Sequence, residues 1–218
     1  MSDFFAVLTD NVDLFVRFFW GSVKLFVIGG VGALVLGTFL AALRVSPVPA
    51  MRAFGTLYVN TVRNTPLTLV LVFFGFAAPK LGIPLDYFPA ACIGLILYTA
   101  AFVCEAVRSG INTVPPGQAE AARAIGMPFA MVLSEVVLPQ ALRASVPPLV
   151  SVLIALLKNT TVATAVNVLQ AGALPAYLSE RGSNQLYTNT WIALIFLALV
   201  APLALAQRSA ERRAAVGA

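Results

Sequence analysis

Residues 117–139, GQAEAARAIGMPFAMVLSEVVLP, form a polar, helix-forming island between apolar runs long enough to cross a membrane. Pro115 and Pro116 stop whatever helix precedes it, and a proline is tolerated in the first turn of the next. QAEAARAI then consists of strong helix formers. Gly126 falls where a left-handed residue ends a helix, and Pro128 can open the following one. The expectation is a helix of two to three turns, a sharp bend, and a longer helix with a kink at Leu138-Pro139, where one backbone hydrogen bond is lost. Glu120 and Arg123 are spaced to pair on an exposed face, while Ala121, Ala122 and Ala124 keep the surface low. A small-residue helix with a charged edge suits docking into a groove on another protein.

The rest of the chain supports a membrane setting for this island. Of 218 residues, 60% are hydrophobic and 11% charged, with mean hydropathy +0.91; soluble domains average about 25% charged. Histidine is absent, which excludes imidazole catalysis and His-ligated metal sites. Cys92 and Cys104 lie in one apolar run and read as small buried hydrophobes, not a redox or metal pair. The net charge of +5 is scattered between apolar runs instead of forming a stripe, so nucleic acid is not an expected partner.

A spanning helix needs about 20 residues to cross about 30 Å of hydrocarbon. Uncharged stretches place helices near 22–43, 63–79, 87–105, 145–168 and 189–207. The fold class expected is therefore an all-α polytopic membrane protein with about five transmembrane helices. Residues 1–21 form an extracytoplasmic or interfacial segment, without the basic start of a signal peptide. A membrane domain spans 22–207, its polar segment 106–143 lies between the third and fourth spans, and 208–218 is a basic tail. Internal glycines such as Gly29, Gly30, Gly32 and Gly37 suit close helix packing. Trp20, Tyr87, Phe88, Tyr187 and Trp191 fall at span ends, where aromatic belts form.

Orientation follows from basic residues in short loops. One side collects Arg44, Arg52, Arg63, Arg108, Arg123, Arg143, Arg208, Arg212 and Arg213; the other has Arg17, Lys24, Lys80 and Arg181. The richer side is expected in the cytosol, which puts the N-terminus outside, the C-terminus inside and 106–143 in the cytosol.

With these residues in place, the chain resembles the permease subunit of bacterial ABC importers, in particular the polar amino acid branch. Glu120 to Arg143 is similar to that family's E-A-A-x3-G-x9-I-x-L-P-Q-A-L-R signature, with Val136 where isoleucine is usual. Arg63-Asn64-Thr65-Pro66-Leu67 resembles its R-G-T-P-L, and residues 105–117, EAVRSGINTVPPG, resemble the lead into its coupling segment. Leu156-Leu157-Lys158-Asn159-Thr160 is similar to its L-L-K-D/N-T. The resemblance implies a bacterial inner-membrane protein that works with a second permease subunit, identical or paralogous. It also implies a cytosolic ATPase dimer and an extracytoplasmic substrate-binding protein. The chain has no phosphate-binding G-x-x-x-x-G-K-[ST], so ATP and Mg belong on the ATPase, and this subunit carries neither cofactor nor catalysis. Glu120, Ala121, Ala122, Arg123, Gly126, Leu138 and Pro139 are the implied coupling residues.

Lys158 stands alone as a basic residue within a span, at a cost of about 2.5–3.5 kcal/mol. Helical spacing sets it on a face with Ser151, Ala155 and Ala165, flanked by Asn159 and Thr161. It either faces the translocation path, attracting a substrate carboxylate, or pairs structurally with a neighbouring helix. Asn159, where relatives can carry Asp, leaves the positive charge free and leans the cargo towards glutamate or aspartate. Another polar amino acid, such as a basic one, glutamine or cystine, and a non-transport membrane scaffold are the alternatives. Asn64 and Thr65 are candidates for the same path, although capping of the second span by either residue, with Pro66 in its first turn, explains them as well. Arg63 is placed to pair with Glu105.

Overall fold

The computed structural model describes residues 2–216, with side chains from 3 to 212, and is helical throughout its regular structure. In chain order the elements are α1 (Ser2–Thr9), α2 (Val12–Val45), α3 (Pro49–Arg63), α4 (Leu67–Lys80) and α5 (Tyr87–Asn112). After them come α6 (Pro116–Ala124), α7 (Phe129–Val166), α8 (Leu174–Ser179) and α9 (Gln185–Val216). Four of these, α2, α5, α7 and α9, are long and apolar enough to span a membrane; a fifth span results if α3 and α4, bent by 101°, are counted as one.

The core is the parallel pair α2 and α5 with α7 laid antiparallel against it. Contacts climb together along α2 and α5: Lys24 lies over the Phe88 ring, a Cβ on Gly32 would strike Ile96, and Arg44 meets Glu105. A Cβ on Gly37 would come within 2.7 Å of the Ala100 carbonyl oxygen, so glycine is what permits this close approach. Along α7 the order reverses, because Ser145 sits against Val107 and Gly110 while Leu156 packs on Gly29 and towards Leu95. Cys92 and Cys104 are free and buried among the α5 core residues, as expected.

Several boundaries differ from the sequence expectation. The first long helix starts at Val12, not near residue 22, and its 34 residues amount to about 51 Å. No proline interrupts residues 12–45, and Phe15, Phe18 and Phe19 are buried against Ala171, Leu174 and Leu178, which makes the extra turns worth forming. The stretch before Arg63, expected as a loop, is helix α3, which starts at Pro49 and buries Gly55 and Val59. α4 is only about 21 Å long, too short to span alone. α5 continues past residue 105 to Asn112, and α9 begins at Gln185. The last part of α7, Thr160–Val166, tightens into a 3-10 helix and ends at Asn167, which is left-handed at φ 57°.

Trp191 is not a free membrane anchor. Its indole N–H donates to the Phe4 carbonyl at 2.8 Å and its ring stacks on Phe4 at 4.8 Å, which ties α1 to α9.

Candidate functional site

α6 forms as its sequence demands. Pro115 is extended at φ −61°, ψ 135°, Pro116 takes the first turn, and the helix ends one residue before Ile125. Gly126 has φ +87°, and no neighbour would crowd a Cβ there. Glycine is therefore required by backbone conformation alone. The Gly126 N–H donates to Arg123 O at 2.9 Å and the Met127 N–H to Ala122 O at 3.2 Å, a Schellman closure. Ala122 is buried, whereas Glu120, Ala121 and Arg123 are exposed. Glu120 and Arg123 do not form an ion pair among the described residues, and both charges stay available to something outside the chain. Ile125 and Phe129, just beyond the turn, are 80% and 67% exposed, too apolar for water to be their natural cover.

The expected irregularity at Leu138-Pro139 takes the form of a π-helical turn over Val132–Val137, immediately before it. Proline lacks an N–H and its ring crowds the carbonyl four residues back, and a wider i to i+5 turn relieves both problems. The same device recurs in α4, where the π-turn Phe73–Ala77 precedes Pro79. α6 packs directly on the π-turn of α7.

Glu105, near the end of α5, is a hub. Arg44 bonds its Oε1, Arg63 approaches Oε1 at 3.5 Å, and Arg108 Nη2 donates to Oε2 at 3.0 Å. The Arg63 contact meets the sequence expectation; the Arg44 contact was missed. Arg108, three residues on along the same helix, was legible from its spacing, but Arg44 lies 61 residues away and no local pattern reveals it.

Lys158 lies near the end of the α-helical part of α7 and is exposed, as are Ser151 and Ala155, with Asn159 and Thr161 half-buried. The lysine ammonium forms no ion pair among the described residues. Behind it is a network that sequence reasoning did not find. The Thr161 hydroxyl donates to Lys158 O at 2.8 Å, and the wholly buried Gln170 donates to Thr161 O at 3.1 Å and to Thr164 Oγ1. The Gly172 N–H donates to Gln170 Oε1 at 2.6 Å, and the Ala171 N–H to Ser22 Oγ at 3.1 Å. The 3-10 turn after Lys158 is thereby fixed to α2.

Asn64 and Thr65 take the opposite end of a helix from the one expected. They follow α3: Asn64 Nδ2 donates to Asn60 O at 2.7 Å and the Thr65 hydroxyl to Thr61 O at 2.9 Å. The residue that begins α4 is Pro66, extended at φ −60°, ψ 134°, so neither side chain caps the helix that follows. Once α3 exists, its last carbonyls are the nearest acceptors, and proline keeps the chain extended before α4.

Comparison with known proteins places the chain. It matches the family described as "binding-protein-dependent transport system inner membrane component" over residues 33–215, and it belongs to that family. It is a multi-pass membrane protein, the membrane-spanning component of such a system. Similar proteins include the "Glutamate transport system permease protein GluC" of Corynebacterium efficiens, 44% identical over 200 residues, covering 86% of this chain and 88% of that one. The "Probable glutamine ABC transporter permease protein GlnM" of Bacillus subtilis is 33% identical and covers 95% and 96%. Among solved structures, the "crystal structure of an amino acid ABC transporter with histidines" superposes with TM-score 0.89 at 25% identity, covering 94% of this chain and 96% of that one.

Proposed function

We propose that this chain is the permease subunit of an ATP-driven importer of a polar amino acid, with glutamate or aspartate as cargo. Its partners in this reading are a second permease subunit, identical or paralogous, a cytosolic ATPase dimer that binds ATP and Mg, and an extracytoplasmic binding protein. The N-terminus and residues 1–21 lie outside, the membrane domain spans 22–207, and the coupling segment 106–143 and tail 208–218 face the cytosol.

The observation that carries the reading is Lys158. Because Leu156 lies level with Leu95 in an antiparallel pair, Lys158 lies about 18 Å along α5 from the Glu105 cluster, within the hydrocarbon depth. An unpaired charge at that depth faces protein or a water-filled cavity, not lipid. Its neighbours on the open face, Ser151 and Ala155, are small enough to line a passage, with Asn159 and Thr161 as polar contacts for a substrate. The relatives named for glutamate support the acidic cargo. Other relatives named for glutamine, cystine and arginine keep those cargoes as the alternative.

Coupling runs through α6. Seated in the ATPase by the exposed Glu120, Ala121 and Arg123, with Ala122 turned inward to hold the helix on its own chain, it moves when the ATPases close. The Gly126 turn and the π-turn before Leu138-Pro139 pass that motion into α7, which carries Lys158 about 28 Å further on. Two arms of one experiment test this. A cysteine at Gln118 is expected to react only from the cytosolic side, and Glu120→Lys is expected to assemble normally but lose substrate-stimulated ATP hydrolysis. Labelling at 118 from outside, or full stimulation in Glu120→Lys complexes, would overturn the coupling assignment.

A further inference from the structure

α2 and α3 meet at a corner, residues 46–48, beside the end of α5, and a cleft of about 700 Å³ opens there. Three arginines line it, Arg44, Arg52 and Arg108, together with Thr56, Asn60 and Leu57. The acid shared by Arg44 and Arg108 is Glu105, which Arg63 also approaches. Arg52 has no acid: its Nη1 donates to the carbonyls of Ser46 and Pro47 at 3.1 and 3.2 Å. Three guanidinium groups thus share one carboxylate and a fourth, Arg52, has none, which leaves the cluster strongly positive. Donors are also in surplus. Arg108 Nε is buried and has no partner among the described residues, and each guanidinium offers five N–H groups in a planar fork suited to phosphate oxygens.

The surface next to the cleft is apolar. Met51, Phe54 and Leu57, on the outer side of α3, are 45%, 59% and 68% exposed, and Val45 and Val48 at the corner are 47% and 44% exposed. A charged pocket rimmed by exposed aliphatic and aromatic side chains, at the end of a spanning helix, has the polarity of one molecule type. That molecule has an anionic head and hydrocarbon tails. A soluble anion would leave the apolar rim in water, and an acidic protein loop would not use it.

We propose that this cleft binds the headgroup of an anionic phospholipid, with the phosphate held by Arg44, Arg52 and Arg108 and the acyl chains lying on Met51, Phe54 and Leu57. Basic pockets between membrane helices suit such headgroups, and each basic residue at a membrane surface contributes about 1 kcal/mol, or about fivefold in affinity. The lipid would brace the corner between α2 and α3 and neutralise the excess charge around Glu105. The site lies apart from Lys158 and from α6, and it does not depend on which amino acid is carried.

The test is native mass spectrometry of the full-length chain in detergent, titrated with phosphatidylglycerol and, separately, with phosphatidylcholine. Phosphatidylglycerol is expected to bind more tightly. Arg52→Gln and Arg108→Gln should each weaken it about fivefold and leave phosphatidylcholine unaffected. Arg17→Gln, which removes the same charge at the opposite end of α2, should change nothing. Leu57→Glu touches none of the arginine contacts and sits on an exposed surface, so it leaves the fold intact; it should repel the lipid. Equal affinity for both lipids, or equal losses with Arg17→Gln, would overturn the site. Displacement of phosphatidylglycerol by soluble glycerol phosphate at similar concentration would reassign it to a free anion. Loss of a co-purifying ATPase from the arginine variants with lipid binding unchanged would reassign it to a protein contact.

Discussion

Glu105 and Lys158 are both charges on apolar spanning helices, about 18 Å apart along the bundle, and the protein treats them in opposite ways. Around Glu105 three arginines converge, and the carboxylate side chain is 22% exposed. Around Lys158 there is no acid in the described chain, and its face is small-residue and open. The first is a charge the fold has answered. The second has no ion-pair partner among the described residues. A buried ion is tolerable when paired and hydrogen-bonded, and costly otherwise, so the difference marks Glu105 as a structural charge and is what supports the role proposed above for Lys158.

That contrast can be broken most forcefully at Glu105. Glu105→Gln leaves three guanidinium groups crowded without their acid and should cost about 3 kcal/mol, the low end for breaking a buried pair because the site is partly open. A fall in Tm of the detergent-purified chain would read it, and a second change, Arg44→Gln, should recover part of the loss. An unchanged Tm would remove the hub from the list of fold determinants. A smaller effect is expected at the support behind Lys158. Gln170→Ala strands the N–H of Gly172 and removes one of the two side-chain donors to the Thr161 carbonyl, and should cost about 1–3 kcal/mol, with transport and Tm falling together. If Tm holds while transport collapses, Gln170 is part of the path instead of its scaffold. The smallest stability effect is expected at Lys158 itself. Lys158→Met should shift stability by no more than about 0.5 kcal/mol, yet lower uptake of an acidic amino acid per assembled complex about tenfold, the worth of one charge-assisted contact. Lys158→Arg should keep part of the activity. Equal losses of yield and uptake in Lys158→Met would make the lysine a structural group and dissolve the comparison.

What could be read from the sequence follows from what is local. Apolar runs located the spans because hydropathy needs no partner. Gly126 was legible because the left-handed turn that ends α6 is a demand of one residue on its own backbone, and the Pro139 irregularity because proline acts on its own carbonyl four residues back. The residues from 49 to 63 were misread because Met51, Phe54 and Leu57 alternate with Arg52, Thr56 and Asn60. That stretch is too polar to register as a span and too long for a loop, and only the packing of Gly55 and Val59 on neighbouring helices settles it as α3. Asn64 and Thr65 went wrong as a consequence, since their role depends on whether a helix precedes them. The Arg44–Glu105 contact and the Gln170 network join residues 61 and up to 149 positions apart, and no spacing rule reaches across them.

The length of α2 has a mechanical consequence. It is one unbroken helix clamped at both ends, by Phe15, Phe18 and Phe19 against α8 and α9 at one, and by Arg44 in the arginine cluster at the other. From Phe18 to Arg44 is about 39 Å of rod. A rod gripped that way is a lever: a change of tilt of about 5° sweeps one end past the other by about 3 Å. Motion on one face of the bilayer would reach the opposite face through α2 in a single rigid stroke, without any residue in between having to change conformation.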